Sequence, residues 1–204
     1  MTDRRTSLSR GLRFLEWLLV AIGVASIGWL ATAHIAADRE QASLSRELYR
    51  IPDAVLPAAG SAPAIRGLVG RIDVPRLKLS ALAREGADVM TLRGAVGHIP
   101  GTAFPGAPGN AAFAAHRDTF FRPLKSVRNG DEVILTTTRG VYHYLVTGTR
   151  IVEPADVSVL DQTPEATLTL VTCYPFDYIG SAPQRFIVRA ALQAASPART
   201  PRTP

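Results

Sequence analysis

Six stretches of the chain alternate apolar and polar positions with a period of two: 67–75 (GLVGRIDVP), 110–116 (NAAFAAH), 131–138 (DEVILTTT), 140–152 (GVYHYLVTGTRIV), 166–173 (ATLTLVTC) and 185–192 (RFIVRAAL). All are rich in β-branched or aromatic residues, the pattern of half-buried strands. They follow one another without long helical crossovers, which predicts an all-β barrel or sandwich. A short helix is expected over 86–95 and a single turn over 120–127.

One segment breaks this rhythm. Residues 17–37 (WLLVAIGVASIGWLATAHIAA) carry no acidic or basic residue other than His34. A helix of that length reaches about 30 Å at ~1.5 Å per residue, enough to cross a bilayer core. Arg4, Arg5, Arg10 and Arg13 precede it and the mixed DRE of 38–40 follows. An excess of arginine marks the cytoplasmic side, so residues 1–16 are expected in the cytoplasm and the rest of the chain outside the cell membrane. Residues 38–64, with three prolines after position 50, read as a linker, 65–194 as the folded domain, and the proline-rich 195–204 as a frayed tail.

Composition narrows the class. The 204 residues, 47% hydrophobic and 20% charged, suffice for one ordinary domain plus an appendage. The net charge of +6 comes from scattered basic residues without a dense run, which argues against nucleic acid as a partner. No carboxylate cluster suggests calcium or another metal, and no glycine-rich phosphate loop or other cofactor motif is present. The single cysteine, Cys173, cannot form an intramolecular disulfide.

Cys173 shares the side of its strand with Thr169 and Val171 and precedes a proline-bearing loop, a place where a thiolate can meet a substrate. A buried structural cysteine fits the position as well. His116 ends its own apolar run and suits proton transfer with a thiol, although a surface histidine would look the same. Arg185 opens the last strand, and a guanidinium there can bind an oxyanion. Arg189, four residues on, lies on the same face and is its rival if the register differs. His98 lies in a turn-rich stretch and His143 falls mid-strand.

TLVTC at 169–173 resembles the TLxTC signature of the sortases, and HRDTFF at 116–121 and APQRFIV at 182–188 are similar to the class D branch. The resemblance covers roughly 68–192. It implies an eight-stranded sortase β-barrel with short helices, preceded by the N-terminal transmembrane helix. It also implies a cysteine transpeptidase that cuts LPxTG- or LPxTA-type sorting signals of secreted proteins and passes them to an amine acceptor such as a peptidoglycan precursor. His116, Cys173 and Arg185 fall on the family's catalytic positions, with Thr172, Tyr174 and Ala115 as expected substrate-side neighbours and no cofactor. The branch often has glycine where this chain has Ala115, which adds a methyl group beside the site. A membrane-anchored cysteine hydrolase and a non-catalytic extracytoplasmic binding module are the alternatives.

Overall fold

Strand-forming alternation is realised in eight strands among the described residues, which are 17–26, 28 and 67–197 of a computed structural model. They are β1 (Leu68–Val74), β2 (Leu79–Glu85), β3 (Val96–His98), β4 (Asn110–Ala114), β5 (Glu132–Thr136), β6 (Gly140–Val152), β7 (Thr167–Tyr174) and β8 (Gln184–Pro197). They close a barrel in the order β1-β2-β3-β4-β7-β8-β6-β5, with β5 returning to β1 through the pairs Arg71↔Thr136, Ile72↔Leu135 and Asp73↔Ile134. Pairs β2/β3 and β4/β7 are parallel and the rest antiparallel. Closure leaves no free sheet edge.

The inward half of each alternation makes the core. Ile72, Val74, Ala81, Phe113, Val133, Leu135, Tyr144, Leu168, Leu170 and Val188 are buried together. Their outward neighbours on β1, Arg71 and Asp73, pair with each other at 3.0 Å. The two barrel seams come so close that Gly70 and Gly97 have no room for a side chain: a Cβ would meet Thr136 O and Gly86 O at 2.3 Å.

Two strands lie where none is expected. LSALARE of β2 lacks β-branched residues, but Leu79, Ala81 and Ala83 face the core and six residues pair with β1. Three-residue β3 exists because it fills the gap between β2 and β4. This corrects the placing of His98 in a turn. It ends β3, buried, with Nδ1 2.7 Å from Glu85 Oε2 and Nε2 2.9 Å from Ala103 O, its ring stacked on Phe104. It pins the β3–β4 connection, as does Tyr144, whose hydroxyl accepts from Gly106 N–H at 2.8 Å. Burial pushes the Tyr144 phenol up to about 12.

The helix expected over 86–95 is observed as Val89–Gly94. Asp88 caps it, its carboxylate accepting from the Met90 and Thr91 N–H groups. The turn expected over 120–127 is a 3-10 helix at Arg122–Ser126. Strand β8 runs on to Pro197, into the expected tail, because its register with β6 continues through Gly140↔Pro197.

Residues 17–26 form a helix within a separate unit. Among the described residues no helix is long and apolar enough to cross a membrane. Residues 27 and 29–37 of the expected span, the linker and domain start at 38–66, and residues 1–16, expected in the cytoplasm, lie outside the described residues.

Candidate active site

Strand β7 sends Leu168, Leu170 and Thr172 inward, so Thr169, Val171 and Cys173 face outward. The same parity puts Ala112 and Ala114 of β4 and Ile187 and Arg189 of β8 on that outer face, since Phe113, Val188 and Ala190 lie in the core. Cys173, half-buried and free of a disulfide, is one residue from the strand end, not the last residue as expected. Its register partner across β7–β8 is Arg185. Of the two arginines, only Arg185 is in register with the thiol: Arg189 stands opposite Thr169, and its Nη2 donates to Val159 O at 3.3 Å.

His116 arrives from the other side. Strand β4 runs parallel to β7 with Ala114 opposite Val171, and the Ala115 N–H continues the ladder to Val171 O at 3.2 Å. His116, two residues past Ala114, is therefore delivered to the level of Cys173, two residues past Val171. The side chain is exposed, and its carbonyl accepts from Phe121 N–H at 3.1 Å. Phe121 is fully buried and plants this turn in the core. Its role was hidden within HRDTFF, whose aromatic pair was the available signal.

Of the three expected substrate-side neighbours, Thr172 and Ala115 are buried and Tyr174 is half-buried. Thr172 is 2% exposed and donates to Ala115 O at 2.8 Å, clipping the end of β4 to β7 from inside. The Ala115 methyl is packed in the main core, so the side chain that replaces glycine is accommodated. Tyr174 stacks on Phe186 with ring centroids 6.2 Å apart and meets Phe176 edge-on, while Phe176 and Phe186 pack against the core. These aromatics close the barrel end. Thr172 and Ala115 point into the barrel and support the site from below.

Sequence reasoning missed Asn110. Fully buried at the start of β4, it donates from Nδ2 to Val159 O (3.0 Å) and Asp161 O (3.2 Å) and accepts from Thr169 Oγ1 at 2.6 Å. It thereby ties the β6–β7 connection to the outer face. That connection carries the 3-10 helix Val157–Leu160. Val159 joins Val152 and Ile187 in a second apolar cluster, with Leu160 and Val171 against it. The outer face thus has an apolar strip beside the polar trio. A hollow of about 230 Å³ lies along β6 and β8 beside Val159 and Arg189 and contains none of His116, Cys173 and Arg185. Among the described residues no group of three His, Cys, Asp or Glu side chains converges as a metal site.

The class defined by this arrangement is a closed barrel that brings a strand-end thiol, a cross-strand arginine and a histidine from the parallel neighbour to one rim. A family model described as the sortase domain matches residues 72–193, and the chain belongs to the sortase family. It is 34% identical to Sortase D of Bacillus subtilis over 58% of this chain and 61% of that protein. It is 30% identical to a Sortase A of Listeria monocytogenes over 67% of this chain and 63% of that one. The matches thus span about three-fifths of these relatives' lengths. Among solved structures, the fold is similar to a Clostridium perfringens Sortase D5 transpeptidase, with a TM-score of 0.57, 30% identity and coverage of 62% of this chain and 79% of the other. Sortase A of Listeria monocytogenes superposes with a TM-score of 0.60 at 28% identity, covering 65% and 92%.

Proposed function

We propose that this protein is a class D-like cysteine transpeptidase that cuts a sorting signal of LPxTG or LPxTA type and joins the released protein to an amine acceptor. The observation that carries the reading is the register pairing of Cys173 with Arg185 at the rim reached by His116. In the first step the Cys173 thiolate attacks the threonine carbonyl of the signal. The C–N bond breaks, His116 gives its proton to the departing amine, and a thioester remains. In the second an incoming amine attacks the thioester, His116 takes the amine's proton, and the thiolate leaves. Arg185 supplies donors to the oxyanion of each tetrahedral intermediate.

The apolar strip of Val152, Val159, Leu160, Val171 and Ile187 suits the leucine and proline of such a signal. The sequence pattern of residues 1–37 supports a single-pass membrane protein with its catalytic domain outside the cytoplasm, where secreted substrates and cell-wall amines are met.

The test is incubation of the chain with LPxTG and LPxTA peptides and candidate amines, followed by mass spectrometry of enzyme and products. A Cys173 acyl adduct with ligated peptide is expected. Cleavage in which water alone takes the acyl group would make the protein a hydrolase, and intact peptides with unmodified enzyme would remove the reading.

A further inference from the structure

The residue after His116 is tied to the loop that separates Cys173 from Arg185. Arg117 Nη2 donates to the carbonyls of Tyr178 (2.7 Å) and Gly180 (3.0 Å), and its guanidinium lies 5.9 Å from the centre of the Tyr178 ring. From the opposite side Arg185 Nη1 donates to the carbonyls of Ala182 (3.3 Å) and Gln184 (3.0 Å). One stretch of backbone, 178–184, is therefore gripped by two guanidiniums, one from the histidine-bearing segment and one from the arginine opposite the thiol.

Little else suits this loop to hold its shape. Ile179 at its tip is 97% exposed and Tyr178 is exposed too, so apolar burial does not fix it. Gly180 adopts φ +99°, a conformation that favours glycine, and its carbonyl accepts from Arg117. The Lys125–Asp177 pair, 3.9 Å apart and exposed, is the kind that contributes little. Arg117 also holds its Nη1 buried without a hydrogen-bond partner. A guanidinium that served only solubility would turn that group to water; here its hydration is given up to reach two carbonyls.

We propose that Arg117 is a positioning residue for Arg185, acting through the β7–β8 loop. With Nη1 spent on Ala182 and Gln184, the remaining N–H groups of Arg185 are the donors left for a substrate oxygen, and their direction follows from where those carbonyls sit. Arg117 keeps the carbonyls in place by holding the same loop two to six residues upstream. This inference rests on the transpeptidase reading for its rate consequences, while its structural part does not.

The test uses the full chain with Arg117→Lys and Arg117→Gln, alone and combined with Arg185→Gln. Arg117→Lys keeps the charge and loses the planar fork. Three quantities are read: amide exchange over 176–183, kcat and KM on a sorting-signal peptide, and the ratio of Cys173 alkylation rates with anionic iodoacetate and neutral iodoacetamide. Thermal melting confirms that each variant folds. Arg117→Lys and Arg117→Gln are expected to speed exchange in the loop and to lower kcat roughly tenfold to a hundredfold with KM nearly unchanged. In the Arg185→Gln background they are expected to cause no further loss. Unchanged exchange, or losses that add to those of Arg185→Gln, would overturn the proposal. Should the wild-type chain process no peptide, the transpeptidase reading fails and the alkylation ratio decides. A several-fold drop in that ratio in Arg117→Lys, absent once Arg185 is already glutamine, supports the positioning role, and an unchanged ratio ends it.

Discussion

Cys173 and Arg185 are register partners across the antiparallel β7–β8 pair, twelve positions apart in the chain and adjacent in the sheet. A cross-strand neighbour is held by the ladder itself, so the backbone of Arg185 is fixed beside that of Cys173. Arg185→Ala is expected to lower kcat by about 10² to 10³-fold, the usual loss of an oxyanion donor, and Arg185→Lys to recover little of it because the fork is gone. Steady-state kinetics on a sorting-signal peptide would show this, and an Arg185→Lys variant with full activity would reduce the role to bare charge.

Cys173→Ala is expected to abolish the acyl adduct in mass spectra and all ligation. His116→Ala is expected to cost about 10² to 10⁴-fold in turnover through lost proton transfer. Because His116 is exposed and its turn is held by Phe121, the melting temperature of this variant should match that of the wild type. A matching loss of stability would mean that the histidine is structural.

Asn110 joins β4, β7 and the β6–β7 connection through three side-chain hydrogen bonds. Asn110→Ala should destabilise the fold by about 3 kcal/mol, since buried carbonyls and a hydroxyl lose their partner. Asn110→Asp should do no better, because a carboxylate cannot donate to Val159 O and Asp161 O. If the connection lines the peptide site, a peptide titration of the surviving folded fraction should show KM rising more than kcat falls.

Thr172 tests a subtler division. Thr172→Ser retains the donor to Ala115 O, whereas Thr172→Val removes it at nearly constant volume and should cost about 1 kcal/mol in chemical denaturation. Equal stability of the two variants would show that the hydroxyl does not hold β4 to β7.

Asp131 offers a pH signature. Its carboxylate accepts from the Arg76 guanidinium and from Arg128 N–H at 2.8 Å, and Arg76 Nη2 also reaches Ser126 O at 2.6 Å. The Arg76 hydrogen bond, outweighing burial, holds the Asp131 carboxyl below the usual carboxylate range. A carboxyl lowered in the fold stabilises it above its unfolded value, near about pH 4, and that stability is lost as pH falls through the folded value. The melting-temperature gap between wild type and Asp131→Asn should hold constant from neutral pH down to about pH 5 and narrow below that. A gap independent of pH would show that charge plays no part.

What the sequence by itself determined is local. Period-two alternation marks β1 and β4 to β8, and β6 is observed over the expected 140–152, because each of these strands carries its own inward apolar face. The short motifs around His116, Cys173 and Arg185 identify the family for the same reason: chemistry-bearing residues stand in fixed order beside strand ends. Strands β2 and β3 were not legible, since Ala81, Ala83 and Gly97 have little strand preference of their own and are extended by what they pair with. Only the tertiary structure decided that Thr172 and Ala115 face the core while Cys173 faces out. It alone set Arg185, and not Arg189, in register with Cys173, found Asn110 beneath the connection and brought Arg117 to the β7–β8 loop. Parity along a strand is written in the chain; register between strands is not, because it depends on how the barrel closes.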